Sequence, residues 1–332
     1  MKKIVVDMMG SDLGTAATKG AVEIFHAKHP DVELILVGKE DELKDIKFAS
    51  KIVNATDVVE MTCGALEVIR RKESSMVVAI NTMKSENADG IISAGATGAF
   101  LSACTLMLKK IPGVQRPALV TAFPNIESDG YTTLLDVGAS NVNTPEELAQ
   151  FAYMGTLYSR AVYKIENPRV RLLSNGSEEG KGSPVGKEAY HLLAEMKNIN
   201  FEGNIEGDKL LKGLADVVVS DGFTGNVMLK TTEGTAKGMG KLLKKGFMSK
   251  LRCKIGYLFA KPAVKILSEE NSVTVWEEVT DSKEAISNAN HAITCIVSCP
   301  PPKGTCPLRY HRAASISVRK RHRQTAKVSR VQ

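Results

Sequence analysis

The chain has 332 residues, 43% hydrophobic and 24% charged, a globular composition long enough for one large or two modest domains. No apolar run nears the roughly 18–20 residues of a membrane helix, Met1-Lys2-Lys3 leads into three apolar residues before Asp7, and six Cys are too sparse for a disulfide scaffold; this argues against a membrane span and a secretory signal and for the reducing cytosol. The net charge of +7 comes from the chain end: beyond Glu284 there are nine Lys or Arg and no acid, which leaves 35 basic against 37 acidic residues before it and no reason to infer nucleic-acid binding by the main fold.

Short β-branched runs alternate with helical patterns, which predicts a parallel α/β sheet. In chain order the reading is strand Lys3–Met8, helix Ala16–Lys28, strand Val32–Val37, helix Ser74–Asn87, strand Gly90–Ser93 and helix Gly98–Lys109. Strands Ala118–Ala122 and Thr133–Val137 follow, then helix Pro145–Tyr163, strand Val170–Leu173, helix Gly186–Lys197 and strand Asp216–Ser220. No internal repeat is present.

From Thr232 to Leu267 the pattern is one long helical stretch or two helices, with Pro262 as the expected break or kink. Leu243, Phe247, Leu251, Ile255 and Leu258 make one apolar stripe among Lys237, Lys241, Lys244, Lys245, Lys250, Arg252, Lys254, Lys261 and Lys265, opposed only by Glu233. That composition suits a helix lying on an anionic membrane surface; a dimerisation or core helix with a solvated basic face is the other reading. Residues 268–332, with Pro300-Pro301-Pro302 and an Arg/Lys/Ser-rich end, have no strand–helix alternation and are expected to be poorly ordered. Cys295, Cys299 and Cys306 with His291 or His311 lack a paired C-x-x-C, so they read as incidental residues rather than a zinc set.

In an open parallel sheet ligands bind beyond the carboxyl ends of the strands. Five such ends carry small Gly-containing loops: Asp7-Met8-Met9-Gly10-Ser11-Asp12, Ser93-Ala94-Gly95-Ala96-Thr97-Gly98-Ala99, Asp136-Val137-Gly138-Ala139-Ser140, the run from Asn175 to Ser183, and Asp221-Gly222-Phe223-Thr224-Gly225-Asn226. Glycine lets the backbone approach a ligand and a following helix aims N–H groups at an anion, although such turns also use Gly for steric reasons alone. Several converging on one sheet edge favour a phosphate site. No G-x-G-x-x-G follows the first strand, and no P-loop or G-x-S-x-G elbow occurs. His191 is the one His between residues 30 and 290, so a His-assisted nucleophile is disfavoured. The remaining chemistry is attack by bound phosphate, the protein positioning the anion and stabilising an oxyanion. Lys181 is the natural cation and Asn226 a natural hydrogen-bond donor; alternatively Lys181 pairs with Glu178 or Glu179 on the surface and Asn226 caps a helix.

Leu134-Leu135-Asp136-Val137-Gly138-Ala139, Gly180-Lys181-Gly182 after Glu178-Glu179, and Asp216-Val217-Val218-Val219 leading into Asp221-Gly222-Phe223-Thr224-Gly225-Asn226-Val227 resemble the bacterial phosphate acyltransferase of phospholipid synthesis. So do Ser93-Ala94-Gly95 with Thr97-Gly98-Ala99, Arg116-Pro117-Ala118, and Phe201 with Gly203-Asn204-Ile205-Glu206, an ordered similarity running from Lys2 to about Leu267. The resemblance implies transfer of a long-chain acyl group from acyl carrier protein to inorganic phosphate, giving acyl phosphate for glycerol-3-phosphate acylation. It implies a three-layer α/β/α fold similar to isocitrate and isopropylmalate dehydrogenases, with a protruding basic amphipathic helical segment. It further implies a cytoplasmic homodimer associated peripherally with the membrane. No inward-facing carboxylate cluster is evident in the sequence, so no metal is expected, and no cofactor is expected either.

The family's proposed essential Lys and Asn fall on Lys181 and Asn226, and its membrane-contacting tip on Phe247, Leu251, Ile255 and Leu258. Asp7, Gly10, Gly95, Thr97, Gly98, Asp136, Gly138, Asp221, Thr224 and Gly225 form the expected phosphate and substrate set, with backbone N–H groups around Gly95, Gly138 and Gly225 as donors and Asp221 ordering its loop. Arg70-Arg71-Lys72 or the long helix would attract the acidic carrier protein.

The sequence departs from the family pattern in its first loop, Asp7-Met8-Met9-Gly10-Ser11-Asp12 for Asp-Ala-Met-Gly-Gly-Asp, and at Ala96, Ser140 and Ser183, each replacing a usual Asn. The family's Gly-Gly loop and His-Gly-Ser-Ser segment have no counterpart after Leu267, so residues from about 268 read as a frameshifted or replaced terminus on a domain spanning 1–267. Two other readings stay open: a dehydrogenase on the same type of fold, for which no nicotinamide site or metal-binding carboxylate set is visible, and a catalytically impaired peripheral membrane scaffold protein of lipid synthesis.

Overall fold

The computed structural model describes residues 2–270 except Asp12, Met61, Thr62, Ala65, Ile111 and Pro112, with side chains to Pro262 and at Val264, and a two-residue strand at Thr294–Cys295. Apart from the last helical backbone and that strand, the expected tail over 268–332 and the set Cys295, Cys299, Cys306, His291 and His311 lie outside the described residues. The chain divides into two compact units, Met1–Ala118 with Leu157–Glu166 and Thr294–Gln332, and Leu119–Thr156 with Asn167–Ile293.

The first unit is built from β1 (Lys2–Asp7), α1 (Gly14–Lys28), β2 (Val32–Gly38), α2 (Glu40–Leu43), β3 (Lys51–Asn54), α3 (Ser75–Ser85), β4 (Gly90–Ser93) and α4 (Thr97–Leu108). Its four strands are parallel in the order β3-β2-β1-β4, with Ile4 in register with Leu34 and Gly90. Period-two alternation sends Ile4, Val6, Leu34 and Leu36 to one face, where they bury Val22 of α1, Leu43 of α2 and Ile46. Val5, Ile35 and Val37, in the other phase, are buried too, and α3 packs on all four strands through its apolar face. Strands covered on both faces read as continuous apolar runs, which is why β1 and β2 were legible as parallel strands.

The second unit contains β5 (Leu119–Pro124), β6 (Tyr131–Leu135), α5 (Pro145–Val162), β7 (Arg169–Ser174), α6 (Pro184–Glu195), β8 (Asn200–Glu206), β9 (Val217–Val219), α7 (Gly222–Met248) and α8 (Leu251–Glu270). Its strands run β5-β6-β9-β7-β8, and the last four are mutually parallel. The α/β class is as expected, but the strands form two sheets rather than one, and β5 pairs with β6 antiparallel. The residues between Pro124 and Tyr131 are too few for the crossover of a dozen or so that a parallel pair needs.

The basic helical stretch differs from expectation at both ends. It begins at Gly222, ahead of Thr232, and it breaks at Ser249–Lys250, whereas α8 continues through Pro262 to Glu270. Two features favour the earlier break. The Ser249 hydroxyl donates to the Gly246 carbonyl at 2.7 Å, satisfying an end group of α7, and folding back brings the ring of Tyr257 to 5.2 Å from that of Phe247. Phe247 is thereby half-buried inside the helical pair, while Met239, Leu242, Leu243, Met248, Leu251, Ile255, Leu258 and Phe259 stay exposed among the lysines. No helix of the described residues is long and apolar enough to cross a membrane.

Candidate active site

Because β6, β9 and β7 are adjacent and parallel, the three loops that follow them leave from one edge of the second unit's sheet. The first is organised by Asp136, whose fully buried carboxylate accepts from the backbone N–H of Leu119 (2.9 Å), Gly138 (3.2 Å), Ala139 (2.9 Å) and Ser140 (3.2 Å) and from the Ser140 hydroxyl (3.1 Å). Burial pushes the Asp136 carboxyl above the ordinary carboxylate value, outweighing the opposed pull of these donors. Asp136 therefore shapes the loop from behind.

The third loop locks onto the first. Asp221 caps α7, its carboxylate accepting from the Thr224 N–H at 2.8 Å and the Thr224 hydroxyl at 2.7 Å. The Gly222 N–H donates to Asn143 Oδ1 at 3.1 Å, and Asn143 also accepts from the Ser140 hydroxyl at 3.0 Å and donates to Glu147 at 3.0 Å. A Cβ on Gly222 would lie 2.1 Å from the Ser140 carbonyl oxygen, and one on Gly225 would lie 1.9 Å from that of Asp136. Only glycine at both positions lets the helix end meet the loop backbone to backbone.

This contact sets Asn226 over Gly138. Gly138 has φ +128, and a Cβ there would meet Asn226 Cγ at 3.3 Å and Nδ2 at 3.6 Å, so the amide rests on the bare α-carbon. Asn226 is exposed, lies inside α7 beyond its Asp221 cap, and its side-chain amide has no protein partner among the described residues.

Lys181 stands on the second loop. The Gly182 N–H donates to Asn175 Oδ1 at 3.0 Å, Lys181 N–H to the Glu178 carbonyl at 3.1 Å, and the Asn204 amide to that same carbonyl at 2.8 Å. The Lys181 stem lies over Gly176, where a Cβ would meet its Cγ at 2.7 Å. Its ammonium is in no salt bridge among the described residues, and Glu179 instead lies 3.6 Å from His191 Nδ1. The surface-pair reading of Lys181 and the cap reading of Asn226 are therefore not what the chain adopts.

In the first unit the loops after β1 and β4 form their own cluster. Buried Asp7 accepts from the Met9 N–H at 3.2 Å and from the Ser93 hydroxyl at 2.7 Å, and Ser93 accepts from the Gly95 N–H at 3.1 Å. Gly10 packs against Gly95 so closely that a Cβ on it would lie 2.8 Å from the Gly95 nitrogen. Thr97 and Gly98 open α4 and are exposed.

The N–H groups expected to hold phosphate are thus engaged within the protein: Gly95 with Ser93, Gly138 with Asp136, Gly225 with the Asp221 carbonyl at 2.9 Å. Asp136, Gly138, Asp221, Thr224, Gly225 and Asn226 come together, with Lys181 on the neighbouring loop, whereas Asp7, Gly10, Gly95, Thr97 and Gly98 belong to the other unit. Of the expected site residues in this unit, Asn226 and Lys181 keep a side-chain donor with no hydrogen-bond or ion-pair partner among the described residues.

At the three positions where the family pattern has Asn, Ser140 joins Asp136 to Asn143, Ser183 caps α6 by accepting from the Gly186 N–H at 3.1 Å, and Ala96 leaves α4 without a side-chain cap. Asn143, Glu147 and Gly222 were missed from sequence. Two signals were there to find them: Thr144 and Glu147 have capping-box spacing, and their reciprocal bonds form, while the glycine pair three residues apart at the start of α7 marks a close approach. Among the described residues no three His, Cys, Asp or Glu side chains gather to hold a metal.

Comparison with known proteins bears on this geometry. A profile of the family described as "Fatty acid synthesis protein" matches residues 2–278. The phosphate acyltransferase of Ligilactobacillus salivarius is 42% identical over 280 residues, 82% of this chain and 84% of that protein, and the Enterococcus faecalis phosphate acyltransferase is 42% identical over 274 residues, 81% and 82% of the two chains. Among solved structures, a phosphotransacetylase from Streptococcus pyogenes is similar with a TM-score of 0.51 at 19% identity, covering 71% of this chain and 82% of that one, a likeness of fold.

Proposed function

The chain belongs to the fatty acid synthesis protein family alongside the bacterial phosphate acyltransferases, and from that premise we propose that Lys181 and Asn226 carry the transfer of a long-chain acyl group from acyl carrier protein to inorganic phosphate. The observation that supports this assignment is the unpartnered Asn226 amide resting on Gly138, beside a loop whose Lys181 ammonium forms no ion pair among the described residues.

A phosphate oxygen attacks the thioester carbonyl carbon. The new C–O bond forms as the carbonyl electrons move onto oxygen, and collapse of that oxyanion breaks the C–S bond, so that the thiolate departs with the electron pair and is protonated from solvent. Lys181 offsets the charge of the phosphate, and Asn226 donates to the oxyanion or to a phosphate oxygen. Asp136, Asn143 and Asp221 hold the loops so that these donors need not reorganise. The acyl phosphate then serves acylation of glycerol-3-phosphate.

The same proposal places the protein in the cytoplasm as a homodimer touching the membrane peripherally, with Leu251, Ile255 and Leu258 at the contact; their exposure beside the lysines of α7 and α8 supports it. The test is acyl phosphate formation from palmitoyl-acyl carrier protein and phosphate, in the parent and in Lys181→Ala and Asn226→Ala. Loss in both folded variants supports the assignment. No turnover in the parent points to the scaffold reading.

A further inference from the structure

We infer that Phe223 and Val227 form the seat for the first methylenes of the donor's acyl chain. The inference rests on the acyl transfer proposed above and goes further by naming what holds the apolar part of the substrate.

Phe223 is 61% exposed, Val227 51% and Val142 76%. Elsewhere on the first two turns of α7 the side chain of Leu229 is buried, and Gly222 and Gly225 are pressed onto the loop, so the helix has an inner face already satisfied by the protein. Phe223 and Val227 are four residues apart and share the other face, and Asn226 lies three residues after one and next to the other. Val142 sits between Ser140 and Asn143, both of which touch Gly222, the residue preceding Phe223. Large apolar side chains thus border the Asn226 amide, which has no protein partner among the described residues.

The substrate's own covalent structure selects the occupant. If the thioester carbonyl is within hydrogen-bond reach of Asn226, its alkyl chain starts one bond away, and the surface it first meets is that of the side chains beside Asn226 on α7. Thr224 is tied to Asp221, which leaves Phe223 and Val227 as the apolar contact at that level. Covering them removes apolar surface from water on both sides of the contact.

The experiment compares palmitoyl and acetyl donors on acyl carrier protein in the parent, Phe223→Ser, Val227→Ser and Phe223→Leu, reading kcat/KM and the molecular mass in solution. The palmitoyl-to-acetyl preference is expected to fall about tenfold or more in the Ser variants and to recover in Phe223→Leu. Equal losses for both donors would overturn the seat, and equal losses with a change of molecular mass would assign this face to contact between protomers. Calorimetry with palmitoylphosphonate and acetylphosphonate reads the same seat without turnover. If the parent transfers neither acyl group, acyl transfer fails as a function, while selective loss of palmitoylphosphonate binding in Phe223→Ser still decides the seat.

Discussion

The side-chain amide of Asn226 lies on the α-carbon of Gly138, with 3.3 Å between Asn226 Cγ and the place a Cβ would occupy. Gly138→Ala therefore displaces the amide and also strains a backbone at φ +128. Activity is expected to fall by about 10²–10³, as for loss of one oxyanion donor, and Asn226→Ala to fall comparably. Single-turnover acyl phosphate assays check it; a Gly138→Ala enzyme as fast as the parent would remove Asn226 from the reaction.

Gly222→Ala and Gly225→Ala push a methyl into backbone carbonyls at 2.1 and 1.9 Å, where no flexible side chain can yield. Each is expected to cost about 1–3 kcal/mol or more by urea denaturation. Gly98→Ala, with nothing within 4 Å of its Cβ, is the contrasting variant and is expected to be neutral or mildly stabilising.

Asp136 gives a pH signature. Its carboxyl is raised by burial above the ordinary 3.8, so between that value and the raised one the folded chain binds more proton than the unfolded chain. This contribution to stability is complete below 3.8 and is lost as pH rises through the folded-state value. Asp136→Asn removes that slope while leaving an amide donor facing the Ser140 N–H, at a cost of about 1–3 kcal/mol. Denaturation midpoints of both proteins across the acid range measure the difference; a gap independent of pH would contradict it.

Ala96 leaves α4 without a side-chain cap, although its ψ of 112 is compatible with one. Ala96→Asn is expected to stabilise the chain by about 1 kcal/mol through an N-cap bond, read as a higher midpoint in thermal unfolding.

Leu251 and Leu258, 74% and 69% exposed, belong to the membrane contact proposed above. Replacing each by Ser is expected to weaken flotation with anionic vesicles about tenfold or more, from roughly 1.5–3 kcal/mol of lost burial, and Phe247→Ser to act differently, by loosening its contact with Tyr257.

How much of this was legible depends on where the stabilising contacts lie. The buried strands β1 and β2, the short apolar run of β4 and the capped helix α3 announce themselves because their own residues supply the pattern. β3, with the sequence KIVN, and β8, with NFEGNIE and a Gly203 at φ +88, were not predicted, since short or interrupted edge strands depend on pairing with a distant partner. The break after Met248 was hidden for the same reason: Phe247 meeting Tyr257 is a tertiary gain, and it outweighs the local signal of Pro262. At the site, Gly138, Lys181 and Asn226 could be named from type and spacing. That Asp136 would occupy the loop's N–H groups could not, because it depends on which way a buried carboxylate turns.

Asn226 and Met248 are carried by the same uninterrupted helix. At about 1.5 Å per residue the backbone rises roughly 33 Å along the helix axis between them. α7 is therefore a ruler: it sets the Met248 backbone about that far along its axis from the residue that carries the Asn226 amide.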